Sequence, residues 1–319
     1  MTGERNILVV LHAHRDETID AGVRVCAALR AAGARPVLAD TDIDDLGART
    51  ARLGAVGVLG RDVALVEVEL AIVLGGDGTI LRAAELVRGG SAPVLGINMG
   101  HVGFLAEIER DELDEAVARV ISRDYLVEER LALSVRVTDA AGELKYETWA
   151  LNEATVEKAS RERMLEVVVE VDGRPLTAFG CDGVVISTPT GSTAYNFSAG
   201  GPVIWPEVEA IAVVPLSAHA LFAKPLVIAP AATVAIEVLE RTTETGVLWC
   251  DGRRSHDLPP GARVSAQRSG QSVRLARLHP APFTDRLVRK FQLPVNGWRG
   301  PAGGSHPVTG VIDAAELDT

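Results

Sequence analysis

Leu70-Ala71-Ile72-Val73-Leu74-Gly75-Gly76-Asp77-Gly78-Thr79-Ile80-Leu81-Arg82 is the stretch from which the rest of the chain can be read. The apolar run Leu70 to Leu74 predicts a strand covered on both faces, because a parallel strand inside an α/β sheet has no solvent side to alternate with. The glycines at 75, 76 and 78 let the chain turn sharply and bring bare backbone close to a ligand. Thr79 is placed to cap a helix over Ile80 to Arg88, and a helix start gathers N–H groups that suit a phosphate. The phosphate-binding candidates are therefore Gly75, Gly76, Gly78 and Thr79. Asp77 stands against them: a carboxylate in a phosphate turn repels its ligand unless it holds a metal ion or accepts a proton. Plain turns also use Gly and Asp, so the motif alone leaves a purely structural turn open.

The flanking sequence extends the α/β pattern. Asn6 to Leu11 reads as a strand, Asp16 to Ala32 as a helix stopped at Gly33, and Arg35 to Ala39 as a second strand. Pro93 to Ile97 is a further strand, running into Asn98-Met99-Gly100-His101-Val102-Gly103-Phe104-Leu105. Two strands that both end in glycine turns put those turns on one carboxyl edge of an open sheet, where nucleotides bind. His12, His14 and His101 lie in such turns, with a solvated or backbone-satisfied role the default for each. Asp111 to Ile121 closes this half as an amphipathic helix, and residues 53 to 68 carry no clear pattern.

Composition narrows the function classes. The 319 residues are 47% hydrophobic and 24% charged, enough for two cored domains. A formal charge of −11 argues against general affinity for nucleic acid or anionic membrane, so a polyphosphate must be gripped by local donors. Cys26, Cys181 and Cys250 are far apart without metal-ligand spacing, and no metal ligand set is predicted. With no signal-peptide core and no apolar run of membrane length, the expected compartment is the cytoplasm.

Near residue 130 the texture changes to short strands. Met164 to Val171 alternates, turns at Asp172-Gly173 and returns as Arg174 to Phe179, a hairpin pattern; Thr233 to Leu239, Gly246 to Cys250, Ala262 to Gln267 and Val273 to Leu278 follow. The expected fold is α/β plus all-β: an N-terminal open α/β sheet over 1–128, a β-sandwich-like domain over 129–282, a C-terminal segment over 283–298 that returns to the first domain, and a Gly/Pro-rich then acidic tail over 299–319 expected to be mobile.

Within the β half, an apolar strand from Asp182 runs into Ser187-Thr188-Pro189-Thr190-Gly191-Ser192-Thr193-Ala194-Tyr195-Asn196-Phe197-Ser198-Ala199-Gly200-Gly201-Pro202. Hydroxyls and free amides suit sugar and amide groups, and Tyr195 offers a flat face to a base. GGDGT resembles the signature shared by NAD kinases, lipid kinases of the diacylglycerol and sphingosine type and, more distantly, phosphofructokinases. STPTGSTAYNFSAGGP, together with Leu151-Asn152-Glu153 in the same order, resembles the NAD kinases specifically, and Trp205 to Val227 resembles actinobacterial members of that ATP/polyphosphate-NAD kinase family. The resemblance covers roughly residues 5 to 290.

That resemblance implies a set of roles. Asp77 matches the proton acceptor and Gly78 a dinucleotide contact. Asn152 and Glu153 match the pair that holds ribose hydroxyls. Asp182 matches an acidic residue contributed to a neighbouring subunit, which implies a homodimer or homotetramer. Thr193, Ala194, Tyr195, Asn196, Phe197 and Ser198 match the loop lining the dinucleotide pocket. Arg163 is a contact candidate on spacing alone, and Arg82 a phosphate candidate one turn into the helix. Gly180 and Arg253 depart from the pattern, which places a basic residue and Gln there in some members. The implied reaction is phosphorylation of the adenosine-ribose 2′-hydroxyl of NAD by ATP or inorganic polyphosphate, with a divalent cation such as Mg2+ as cofactor. Two alternatives stand beside it: a lipid kinase, against which the acidic balance and hydroxyl-rich loop speak, and a non-catalytic dinucleotide sensor.

Overall fold

A computed structural model describes residues 4–100, 103–106, 108–161, 163–242, 244–279 and 282–295. His101 and the expected tail over 299–319 fall outside the described residues. The N-terminal half runs β1 (Arg5–Leu11), α1 (Asp16–Ala31), β2 (Ala34–Leu38), α2 (Asp40–Leu46), β3 (Gly57–Val58), β4 (Val68–Leu74), α3 (Asp77–Leu86), β5 (Val94–Asn98), β6 (Ile108–Glu109), α4 (Leu113–Ser122) and β7 (Leu126–Arg130). The sheet order is β3-β2-β1-β4-β5, all parallel, so the strand order reverses between β1 and β4. At such a reversal the loops beyond the two carboxyl ends diverge and leave a crevice.

Both faces of this sheet are covered, which is why β1 and β4 read as apolar runs. Ile7, Val9, Leu70, Ile72 and Leu74 pack under α1 and α4. Leu8, Val10, Ala71 and Val73 pack under α3. The α3 side also takes in Ala132 and Leu151 from the second half, so the two halves share an apolar seam.

The second half continues as β8 (Leu133–Thr138), β9 (Leu144–Ala150), β10 (Glu153–Lys158), β11 (Leu165–Val171), β12 (Arg174–Cys181), β13 (Gly183–Ser187), α5 (Tyr195–Ser198), β14 (Ile211–Leu216), β15 (Leu226–Ile228), β16 (Val234–Val238), β17 (Gly246–Cys250), β18 (Arg254–Leu258), β19 (Arg263–Arg268), β20 (Val273–Arg277) and α6 (Phe283–Phe291). Two antiparallel sheets of six strands, β15-β14-β13-β10-β17-β18 and β12-β11-β16-β19-β8-β9, close face to face over one core. The Asp172-Gly173 hairpin turn forms as expected, both residues at positive φ.

Two local expectations change. The helix after the glycine turn starts at Asp77, not Ile80, with Gly76 as its cap, and Thr79 sits inside the first turn. The Gly76 carbonyl already accepts from Thr79 and Ile80, so the turn closes without a hydroxyl cap. The strand over 273–278 does not join the sandwich: β20 lies in the first sheet, parallel to β5 and antiparallel to β7. Its Val273 and Leu275 fill the α3-side core, a long-range pairing that alternation cannot assign to one sheet or the other. The chain therefore re-enters the first sheet through β20 before α6, earlier than the expected return.

Sandwich closure depends on side chains such as Leu248, fully buried between the sheets. Leu248→Ala is expected to lower unfolding free energy by about 2–5 kcal/mol in urea titration, and Leu221→Ala, on the exposed surface, to change it by under about 0.5 kcal/mol.

Candidate active site

The crevice at the β1/β4 reversal is a cleft of about 460 Å³. Its floor is the end of β1 with His12, Ala13, His14 and Arg15; its wall is Gly75, Gly76, Gly78, Thr79 and Arg82; and Arg253 closes it from the sandwich. His12 and His14 are exposed, as expected of loop residues, yet both face this cleft. The Arg82 guanidinium is held at the wall by the buried carboxylate of Asp42 and by the Leu11 carbonyl at 2.9 Å. Burial pushes the Asp42 carboxyl up from its ordinary value, and Arg82 pulls it back.

Asp77 opens α3, and its carboxylate is fixed from the far side. The N–H of Phe104 donates to Oδ2 and that of Leu105 to Oδ1, both at 3.1 Å. Gly103 makes the approach fit, since a Cβ there would collide with the Asp77 carboxylate. The glycine turn after β4 and the glycine turn after β5 thus meet through one side chain. Two amides fix its rotamer and leave the remaining lone pairs for a ligand.

On the sandwich side, Asn152 and Glu153 stand at the start of β10. The organiser is Asp251, in the Asp251-Gly252 turn between β17 and β18, with both residues at positive φ. Its carboxylate accepts from the backbone N–H of Leu151 at 3.0 Å and of Asn152 at 2.7 Å. Arg254 pairs with the same carboxylate at 2.6 Å and with Glu85 of α3 at 3.2 Å, and Arg253 reaches Glu85 at 3.1 Å. Arg88 and Arg254 flank the ring of Trp149 at 4.4 and 4.5 Å. One turn therefore clamps the Asn152–Glu153 corner onto the helix that begins at Asp77.

Glu153 is 7% exposed, and its Oε2 has no hydrogen-bond partner among the described residues. Burial, and then the neighbouring Asp251, push its carboxyl up to about 8, with the Tyr195 N–H acting in the opposite sense. Asp251 is lifted by burial too, but the Leu151 and Asn152 amides and Arg254 oppose the lift, so the proton resides on Glu153. A neutral Glu153 offers an O–H as well as an acceptor.

The expected dinucleotide loop divides by depth. Thr193 and Ala194 are half-buried, and Tyr195, Phe197 and Ser198 are exposed. Asn196 is fully buried: its Nδ2 donates to the carbonyls of Ser192 and Pro202 at 3.1 and 3.0 Å, stapling the loop shut. Gly191 lets the loop lie against Asn152, whose carbonyl a Cβ would strike. Phe197 stacks on Phe291 of α6, ring centres 4.4 Å apart, and Phe291 lies 5.6 Å from Phe104. Asp77 and the 193–198 loop are so linked through two contiguous aromatic contacts. Of the expected site residues only Gly75, Gly76, Gly78, Thr79 and Arg82 line the cleft; Asp77, Asn152, Glu153, the 193–198 loop, Asp182 and Arg163 do not. Asp182 pairs with Lys158 at 2.5 Å, which with Ser217 holds its carboxyl below the usual value, and Arg163 approaches Glu244 at 3.8 Å on the surface.

Bare amides at a helix start, with an acid as its first residue, are the working parts of a phosphotransferase that brings a polyphosphate to a hydroxyl. The ATP-NAD kinase N-terminal domain matches residues 7–125 and the ATP-NAD kinase C-terminal domain residues 151–278. The chain is 64% identical to the NAD kinase of Leifsonia xyli over 95% of its length and 99% of that protein, and 49% identical to the NAD kinase of Mycobacterium tuberculosis over 94% and 100%. In fold it resembles yeast NADH kinase crystallised with NADH, with a TM-score of 0.83 at 20% identity over 97% of this chain and 91% of that one. The chain belongs to the NAD kinase family and is an enzyme of that activity. Membership removes the lipid-kinase and sensor alternatives. No helix among the described residues is long and apolar enough to cross a membrane.

With Glu153 near 8 in the folded state and near 4.5 once unfolded, the folded protein holds a proton that the unfolded chain has released between those values. Unliganded stability should therefore fall as pH rises from about 4.5 to 8. Glu153→Gln should flatten that slope in thermal melts taken across the range; an unaltered slope would place the ionised form in the folded protein.

Proposed function

We propose that Asp77 accepts the proton of the ribose 2′-hydroxyl of NAD while the glycine turn holds the phosphoryl group of ATP. What carries this reading is the double amide anchorage of Asp77, which aims one carboxylate from the start of α3, between Gly76 and Gly78 of the cleft wall. A ribose hydroxyl is a weak nucleophile, and phosphoryl transfer needs position and charge neutralisation above all. Gly75, Gly76, Gly78 and Thr79 present the helix start to the phosphates, and Arg82, with Arg253 opposite, supplies cationic charge. Gly78 also meets the dinucleotide.

Asn152 and neutral Glu153 hold the ribose hydroxyls, Glu153 through an oxygen that is buried and unpartnered among the described residues. The loop from Thr193 to Ser198 lines the dinucleotide pocket, with exposed Tyr195 as the flat face and Asn196 as its internal staple. Arg163 has no support here beyond spacing.

The divalent cation enters with the nucleotide as part of the substrate. Mg2+ carried on phosphates needs only one or two carboxylates, and Asp77 is the acid at that turn.

Asp182 serves a neighbouring subunit in this proposal. It is partly exposed away from the cleft, and Ser217 and His219, which act on its carboxylate, lead into the exposed Leu221 and Phe222. Leu176 and Leu226 meet Phe222 there, an apolar surface of the kind that self-association covers.

Asp77→Asn is expected to lower kcat by ~100- to 10,000-fold with ATP or polyphosphate as donor, the usual weight of general-base help, while NAD affinity changes only a few-fold. Its amide group must face one of the two N–H donors, so a modest drop in melting temperature should accompany it. Wild-type turnover in that variant would sink the role. Separately, dimers formed from Asp77→Asn and Asp182→Asn chains should regain activity that neither variant shows alone. Failure of mixing, with dimers present by sedimentation, would keep Asp182 out of the neighbour's site.

A further inference from the structure

Asp42 is a buried acid to which the proposed reaction gives no part. Three neighbouring strands, β2, β1 and β4, run parallel to one carboxyl edge, and each delivers one group to the same spot. α2 follows β2 and carries Asp42 in its first turn; β1 ends in the Leu11 carbonyl; α3 follows β4 and carries Arg82. Arg82 Nη1 donates to Asp42 Oδ1, and Nη2 to the Leu11 carbonyl at 2.9 Å. The Asp42 side chain is 1% exposed and that of Arg82 22%, so the pair runs from the interior out to the cleft wall.

Where the guanidinium points follows from helix geometry. Arg82 stands four residues after Gly78 and three after Thr79, on one face of α3, and all three line the cleft. A helical side chain leans toward the N-terminus of its helix, so Arg82 leans toward the amides of the glycine turn. Of its five N–H bonds, two go to protein acceptors among the described residues, and the rest of the fork is free to meet a ligand at the wall.

An arginine side chain samples many rotamers, and ordering it when a ligand arrives costs affinity. Asp42 orders it beforehand. The Asp42 Oδ2 is buried and has no hydrogen-bond partner among the described residues, so Arg82 is what makes a charged carboxylate tolerable at that depth. The two side chains hold each other: the acid fixes the fork, and the fork offsets the buried charge.

We propose that Asp42 is a positioning residue for the phosphoryl donor, holding the Arg82 guanidinium at the cleft wall in the orientation that meets the donor's phosphates. It touches neither substrate and acts through Arg82. The proposal rests on the phosphate role given to Arg82 above. Its effect falls on the donor, because the Asp42 contacts run to α3 and the end of β1 and not to the Asn152–Glu153 corner.

The test is steady-state NADP formation by the full-length enzyme, with MgATP varied at saturating NAD and then NAD varied at saturating MgATP. Asp42→Asn is expected to raise KM for ATP about three- to tenfold, the weight of one long side chain that must be ordered on binding, with kcat and KM for NAD within about twofold. Asp44→Asn removes an exposed charge from the same helix and should leave KM for ATP unchanged; an equal rise there would assign the effect to net charge and overturn the proposal. In an Arg82→Gln background, Asp42→Asn should add nothing further to KM for ATP, since its route to the donor is gone. Additive effects overturn the proposal, as does an equal rise in KM for NAD, which marks a general loss of structure. An unchanged KM for ATP in folded Asp42→Asn, beside a raised one in Arg82→Gln, overturns the Asp42 role alone. An unchanged KM for ATP in Arg82→Gln removes the phosphate role of Arg82, and this proposal with it. Should Asp42→Asn melt below the assay temperature, Arg82→Lys decides: it keeps the charge but lacks the fork that spans Asp42 and the Leu11 carbonyl, so the same rise is expected and a wild-type KM for ATP overturns the proposal.

Discussion

Asp251 is the constraint on which the arrangement of the two halves rests. Its backbone sits at positive φ in a tight turn, so its carboxylate projects back across the sandwich edge instead of along the strand. There it satisfies the amides of Leu151 and Asn152, which the end of β9 leaves without a ladder partner. A buried carboxylate needs such donors, and Arg254 supplies the balancing charge while reaching Glu85 on α3. Burial first, and then this same acid beside it, push the Glu153 carboxyl up. Position and domain contact at the Asn152–Glu153 corner share one source.

A parallel logic governs Asp77. The first sheet delivers two glycine turns from adjacent parallel strands, β4 and β5, to a single edge. Each turn alone is an ordinary bend. Their proximity allows the amides of Phe104 and Leu105 to grip the Asp77 carboxylate, and α6 presses on that loop through Phe283 and Phe291 against Phe104. The C-terminal helix therefore contributes to the site by packing, 206 residues along the chain from the acid it steadies, counted from Asp77 to Phe283 (283 − 77).

The division of labour between halves follows from their surfaces. The parallel sheet offers a crevice and a helix start, suited to phosphate. The sandwich offers buried polar corners and a stapled hydroxyl-rich loop, suited to sugar and base. Neither surface is complete alone, and the shared apolar seam of Ala132 and Leu151 under α3 brings them into register.

The order of residues along the chain was enough to locate strands β1, β4 and β5, the Asp172-Gly173 hairpin, the change to β structure near residue 130 and the acid in the glycine bend. These are local: periodicity, chain reversal and turn chemistry act over fewer than about a dozen residues. The family resemblance reached further, to Asn152, Glu153 and the 193–198 loop. Asp251, Glu85, Asp42 and the α6 phenylalanines gave no such signal, because apart from Arg254 beside Asp251 the partners described stand 40 to 187 positions away (Arg82 − Asp42 at the near end, Phe291 − Phe104 at the far end). The sheet to which β20 belongs, the protonation of Glu153 and the depth of Asn196 were likewise decided only in three dimensions, since burial and distant pairing exist only once the chain has closed on itself.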